Sequence, residues 1–218
     1  MCFSAGMDVA AGVIIGSVGV DTLRHVNDLK ALPLASLPLA FGGHQLTEAF
    51  VWWGLQGDVA PSTGRTTLWV YMTFAFVVLP VLTPLAVLVV EADRVHRHRI
   101  GRFAALGALV SLVYAHAMLS GPIAAVINGR ALAYDTGVTH GGIVAALYML
   151  AAVGALMASS HRRIALFGAA NLMALPVLVL TSSRTLTSLW CFWAAVASVV
   201  IAGHQRALDR AGRPYPVG

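Results

Sequence analysis

Residues 33–55 read PLASLPLAFGGHQLTEAFVWWGL. A helix needs roughly 20 apolar residues to cross a hydrocarbon core of about 30 Å, and this run has that length with one acidic residue, Glu48. His44 and Glu48 stand four apart, so on a helix they share a face. Gln45 adjoins that face, and Gly42 and Gly43 allow a second helix or a ligand to come close. An ionisable group at membrane depth costs about 2.5 to 3.5 kcal/mol on insertion scales and therefore faces a cavity or a partner. A His–Glu hydrogen bond that pins two helices is the plain reading. A functional pair is favoured, because packing alone does not justify a carboxylate there.

The rest of the chain has the same character. Its 218 residues are 58% hydrophobic and 11% charged, where soluble domains carry about 25% charged residues. The mean hydropathy is +0.79. Fourteen Lys plus Arg against nine acids give +5, but these charges cluster between apolar runs, which excludes a nucleic-acid-binding surface. The predicted fold is all-α, a polytopic membrane helix bundle forming one transmembrane domain over residues 1–218. Seven spans are expected at about 4–22, 33–55, 67–90, 103–120, 140–158, 164–181 and 187–203. The first is the weakest, holding Asp8 and several glycines, and leaves a six-span alternative. No basic residue precedes Arg24, so the opening apolar run is expected to be retained and not cleaved as a signal peptide.

Lys and Arg accumulate on cytoplasmic connections. Alternate ends of the seven spans divide the fourteen charges unequally: Arg24, Lys30, Arg94, Arg97, Arg99, Arg102, Arg162, Arg163, Arg206, Arg210 and Arg213 on one side, Arg65, Arg130 and Arg184 on the other. The N-terminus is thus predicted outside and the C-terminus inside. Residues 91–102, EADRVHRHRIGR, read as a solvated, headgroup-facing loop that enforces this topology. His96 and His98 are a poor metal pair because the flanking arginines repel a cation.

With this orientation the polar residues fall mainly in the outer half, defining one pocket that opens outward. Candidate catalytic residues are Cys2, His44, Glu48, His116 and His140; candidate substrate contacts are Gln45, Tyr71, Tyr114 and Arg184. Each has a bland counterpart. Tyr114 and His116 are two apart, so at most one faces the pocket squarely. His140 can be an interfacial cap near Asp135, Arg184 can snorkel from a helix end, and Asp8 can pair with a neighbouring helix. Trp52, Trp53, Trp69, Trp190 and Trp193 suit an aromatic belt. Removal of the initiator Met would leave Cys2 with a free amine and thiol on one residue, a nucleophile or a chelate. The two cysteines, Cys2 and Cys191, make no disulfide framework. Walker, G-x-G-x-x-G, G-x-S-x-G and H-E-x-x-H patterns are all absent.

The opening MCFSA, the string LPLASLPLAFGGHQLTEAFVWWGL, the SSHRR-x-x-LFG-x-AN-L pattern at 159–172 and SLWCFWAAVASV at 188–199 resemble a group of small, actinobacterial-type multi-pass membrane proteins of unknown function. Their usual opening is closer to MCFSATAS, and Gly6, Met7 and Asp8 depart from it here. A looser resemblance is to membrane proteins that install the diazo group of actinobacterial diazo-amino-acid antibiotics. It implies diazotisation, an N–N bond made from nitrite and an amino-acid-derived amine in natural-product biosynthesis. Glu48 or a histidine would be the acid, Cys2 a nitroso carrier, and His44 or His116 the base. That reading needs no cofactor. The alternatives are a metal-dependent membrane hydrolase or oxidase, in which His44, Glu48, His116 and His140 would hold a divalent metal, and a small-molecule transporter or exporter. A scaffold is a further possibility. The expected partners are the lipid bilayer and a small-molecule substrate, with oligomeric state open, and the expected location is the cell membrane.

Overall fold

A computed structural model describes residues 4–129, 131–181, 199–203 and 206. The chain is mostly helical: α1 (Ala5–Arg24), a 3₁₀ turn, α2 (Leu32–Gln56), α3 (Pro61–Met72), a π-helical segment (Thr73–Val78), α4 (Leu79–Val90), α5 (Arg94–Ser120), a hairpin of β1 (Ala124–Asn128) and β2 (Ala131–Asp135), α6 (Gly141–Met157) and α7 (Arg162–Thr181). Three helical stretches among the described residues are long and apolar enough to cross a membrane: Ala5–Arg24, Pro61–Val90 and Arg94–Ser120, with Gly141–Met157 a shorter apolar helix. α2 has the length but is not among them. Its polar trio His44, Gln45 and Glu48 lowers its hydropathy.

α2 tolerates that polarity because other helices surround it. Its closest neighbour is α1, packed antiparallel through small residues. A Cβ at Gly19 would meet Leu39 backbone at 2.4 Å, one at Gly42 would meet Gly16 at 2.5 Å, and one at Gly12 would meet Leu46 at 2.7 Å. Small residues repeated every three or four positions let helix backbones touch, which maximises dispersion contact where lipid offers no hydrophobic drive. The same α1 face carries buried Ala5 and Asp8. Because Gly12 lies opposite Leu46, one turn toward the N-terminus of α1 brings Asp8 to the level of Glu48 and Ala49.

The π segment has a local cause. In its wide turns the Leu79 amide reaches back to the Phe74 carbonyl. Continued by one residue, the pattern would give Ala75 O the amide of residue 80, which is proline and has none. The Tyr148 hydroxyl of α6 donates to that carbonyl at 3.0 Å, and Ser111 Oγ of α5 donates to Val77 O at 2.6 Å. Pro80 also fixes the α4–α5 contact, since its carbonyl oxygen lies 2.0 Å from where a Cβ on Gly107 would stand.

Two expectations are corrected. The fold is not all-α: between α5 and α6, Val126-Ile127-Asn128-Gly129 turns into an antiparallel hairpin, registering Asn128 with Ala131 and Ala125 with Tyr134. Asn-Gly between short apolar runs suits a tight turn, and Gly129 has φ 64°. Nor is Glu91 solvated. It is buried and accepts from Ser159 Oγ (3.0 Å), Ser160 N (2.8 Å), Ser160 Oγ and Asp93 N (3.2 Å), tying the α4–α5 connection to the α6–α7 connection. Burial pushes this carboxyl up, but the hydrogen bonds from Ser160, Asp93 and Ser159 outweigh it and hold the pKa below the usual value.

Candidate functional site

The α2 face that carries His44 and Glu48 meets α3, the π segment and the hairpin. His44 lies flat on Tyr71 with ring centroids 4.0 Å apart and planes 15° apart, and Phe74 closes against it at 4.9 Å. Tyr71 in turn stacks on Tyr134 at 4.5 Å. The Tyr134 hydroxyl then returns to α2, donating to Glu48 Oε1 at 3.0 Å. Three elements distant in sequence thereby form a column, His44–Tyr71–Tyr134, closed at its far end by the carboxylate one turn along from the histidine.

Local structure explains each placement. α2 sets His44 and Glu48 four residues apart on one face. Tyr71 is next to last in α3 and fully buried. Strand alternation puts Leu132 and Tyr134 on one face of β2, opposite Ile127 and Ala125, and the Ala125 and Leu132 side chains sink into the cluster of Ala49, Trp52, Tyr71 and Met118. The hairpin is therefore a cap whose inward face delivers a phenol.

The column is dry. His44 and Glu48 are buried, and His44 Nδ1 finds no hydrogen-bond partner among the described residues. Trp52 Nε1 is in the same position. A buried donor or acceptor without a partner forfeits about 1 to 3 kcal/mol, so such atoms mark places where a ligand can supply the missing group. Beside the column, a cavity of about 410 Å³ is bordered by Val51, Leu68, Trp69 and Ile123, which also pack in or against the Tyr71 cluster, and by Arg65.

The remaining predicted residues distribute as follows. Gln45 is buried beside His44. Tyr114 is buried but tilts against Phe76 at 5.0 Å in a neighbouring cluster with Tyr148. His116, two residues on, is exposed, so of that pair α5 turns the tyrosine inward. His140 is an exposed helix cap with φ 57° and no side-chain capping bond, while Asp135 accepts from Gly137 N at 2.8 Å instead. Among the described residues no three His, Cys, Asp or Glu side chains gather as a metal site. The four-ligand set of His44, Glu48, His116 and His140 is thus not assembled, because its last two members are exposed on other elements. Cys2, Cys191, Arg184, Trp190 and Trp193 lie outside the described residues. Trp52 belongs to the core and not to a belt.

Tyr134 was not among the predicted site residues. Its signal was the Asn-Gly dipeptide at 128–129, which predicts a hairpin and hence a face for residues 132 and 134.

The chain belongs to a family of unknown function, DUF6629. The family model matches residues 1–214, so membership extends over both the column and the Glu91 knot. No curated protein and no solved structure matches this member of DUF6629.

Proposed function

We propose that this chain is a multi-pass membrane protein with seven spans and a membrane-embedded enzymatic site, in which Glu48, Tyr134 and His44 move protons to and from a bound small molecule. The observation that carries this reading is the buried carboxylate hydrogen-bonded by a phenol and placed one turn from a histidine with an unpartnered ring nitrogen. An acid, a relay hydroxyl and a base in a largely buried setting are the components of general acid–base catalysis. The end-to-end contacts support the span count. Asp21 at the end of α1 pairs with Arg206 at 2.6 Å, and Glu91 joins the 159–160 connection, so the basic connections gather at one end of the bundle.

The most concrete chemistry for these groups is diazotisation. Nitrous acid takes up a proton and gives a nitrosating equivalent plus one water. The amine nitrogen forms the N–N bond and loses a proton; the nitroso oxygen then leaves as a second water while the base removes the carbon-bound proton. Glu48 with Tyr134 serves as the acid and His44 as the base, with Cys2 proposed as the nitroso carrier. No outside oxidant or reductant is needed.

Purified protein incubated with nitrite and an amino-acid-derived amine should give an N–N bonded product. Glu48→Gln should abolish it while leaving the folded protein in the membrane. Substrate flux across sealed vesicles without any product would replace this reading with transport.

A further inference from the structure

At the end of the bundle where α4 gives way to α5, away from the column, lies a second and open cavity, a surface groove of about 550 Å³. Arg94, Arg97, His98 and Arg102 line it together with Leu88 and Ala105. On α5 these positions recur every three or four residues, so the cations project from one helical face. Arg97 is held in place, its Nη1 donating to the carbonyls of Leu88 at 3.3 Å and Glu91 at 3.2 Å. The acids nearest in sequence are occupied elsewhere. Asp93 caps α5 and takes His96 Nδ1 at 2.7 Å, while Glu91 takes the two serines. Among the described residues, Arg94 and Arg102 form no ion pair.

Three exposed guanidinium groups line one groove along which no carboxylate of the described residues lies, and their mutual repulsion is relieved by an anion that joins them. Guanidinium forks match phosphate oxygens in a bidentate manner, and the start of a long helix adds its partial positive charge. Leu88 and Ala105 extend the wall toward the apolar parts of α4 and α5, where an acyl chain would run.

We propose that this cavity is a phosphate-binding site, supplied by the headgroup of an anionic lipid or by free phosphate. It is independent of the proton chemistry at Glu48.

The test uses full-length protein in detergent, wild type beside Arg94→Gln/Arg102→Gln and a control, Arg162→Gln/Arg163→Gln, which removes two exposed arginines from the same end of the bundle. Retention of phosphatidylglycerol over phosphatidylcholine is read by native mass spectrometry, and thermal unfolding is read with inorganic phosphate against chloride at equal ionic strength. Wild type and control should retain phosphatidylglycerol, and the cavity variant should bind it roughly 30-fold more weakly, given about a fivefold contribution from each of the two arginines near a headgroup surface. A shift of the unfolding temperature by inorganic phosphate alone, lost in the cavity variant, would identify free phosphate as the source. The proposal is overturned when the control loses as much as the cavity variant, or when neither lipid nor phosphate distinguishes wild type from the cavity variant. Arg94→Lys/Arg102→Lys keeps the charge but not the fork, and an intermediate loss there guards against misfolding of the glutamine variant.

Discussion

His44 stacks on Tyr71 at 4.0 Å with nearly parallel planes, so an α2 histidine is oriented by an α3 aromatic ring and not by a hydrogen bond to its Nδ1. Such stacking contributes about 0.5 to 1.5 kcal/mol beyond burial. His44→Phe should therefore keep the thermal stability close to wild type while eliminating turnover in the nitrite assay. Full activity in that variant would remove His44 from the mechanism.

Tyr134 and Glu48 should be energetically coupled. In a double-mutant cycle on thermal or denaturant stability, Tyr134→Phe and Glu48→Gln should interact by about 0.5 to 3 kcal/mol, the range for residues in direct contact. Additive effects would mean that the 3.0 Å contact contributes nothing to folding.

Gly107 and Gly101 on α5 make a controlled pair. A Cβ at Gly107 would collide with Pro80 O at 2.0 Å, whereas one at Gly101 meets nothing within 4 Å. Gly107→Ala should cost about 3 kcal/mol by forcing α4 from α5, and Gly101→Ala should be neutral or gain up to about 1 kcal/mol through helix propensity. Melting of the two variants in the same detergent gives the comparison.

Acid should loosen the knot at Glu91. Its carboxyl is held below the ordinary value of 4.5, so the stabilisation is fully present above pH 4.5 and is lost as pH falls through the lower folded value. Glu91→Gln should be less stable than wild type at neutral pH, with the difference narrowing as the solution is acidified below pH 4.5. A gap that stays constant down to pH 3 would show that the carboxylate charge is not what the serines recognise.

Helix positions were legible because apolar length and alternating basic ends are read directly from composition. The expected spans at 4–22, 67–90 and 103–120 fall on the three described stretches apolar enough to cross a membrane. His44 and Glu48 were legible for the same reason, as polar residues inside an apolar run. Their surroundings were not. Which face of α5 turns inward decides between Tyr114 and His116, and that depends on packing against Phe76 and Tyr148, which no spacing rule encodes. Glu91 looked like a loop residue because its partners, Ser159 and Ser160, lie 68 and 69 positions away. The π turn likewise follows from a proline whose consequence falls on the carbonyl five residues earlier.

The Glu48–Tyr134 bond joins residues 86 positions apart, with Tyr134 emerging from the ribosome long after Glu48. At about 5 to 20 residues per second, α2 must wait on the order of 4 to 17 s for its phenol. During that interval α1, already synthesised and packed on α2 through Gly12, Gly16 and Gly19, is the neighbour available to α2. The order of synthesis therefore makes the β1–β2 hairpin the event that completes the site.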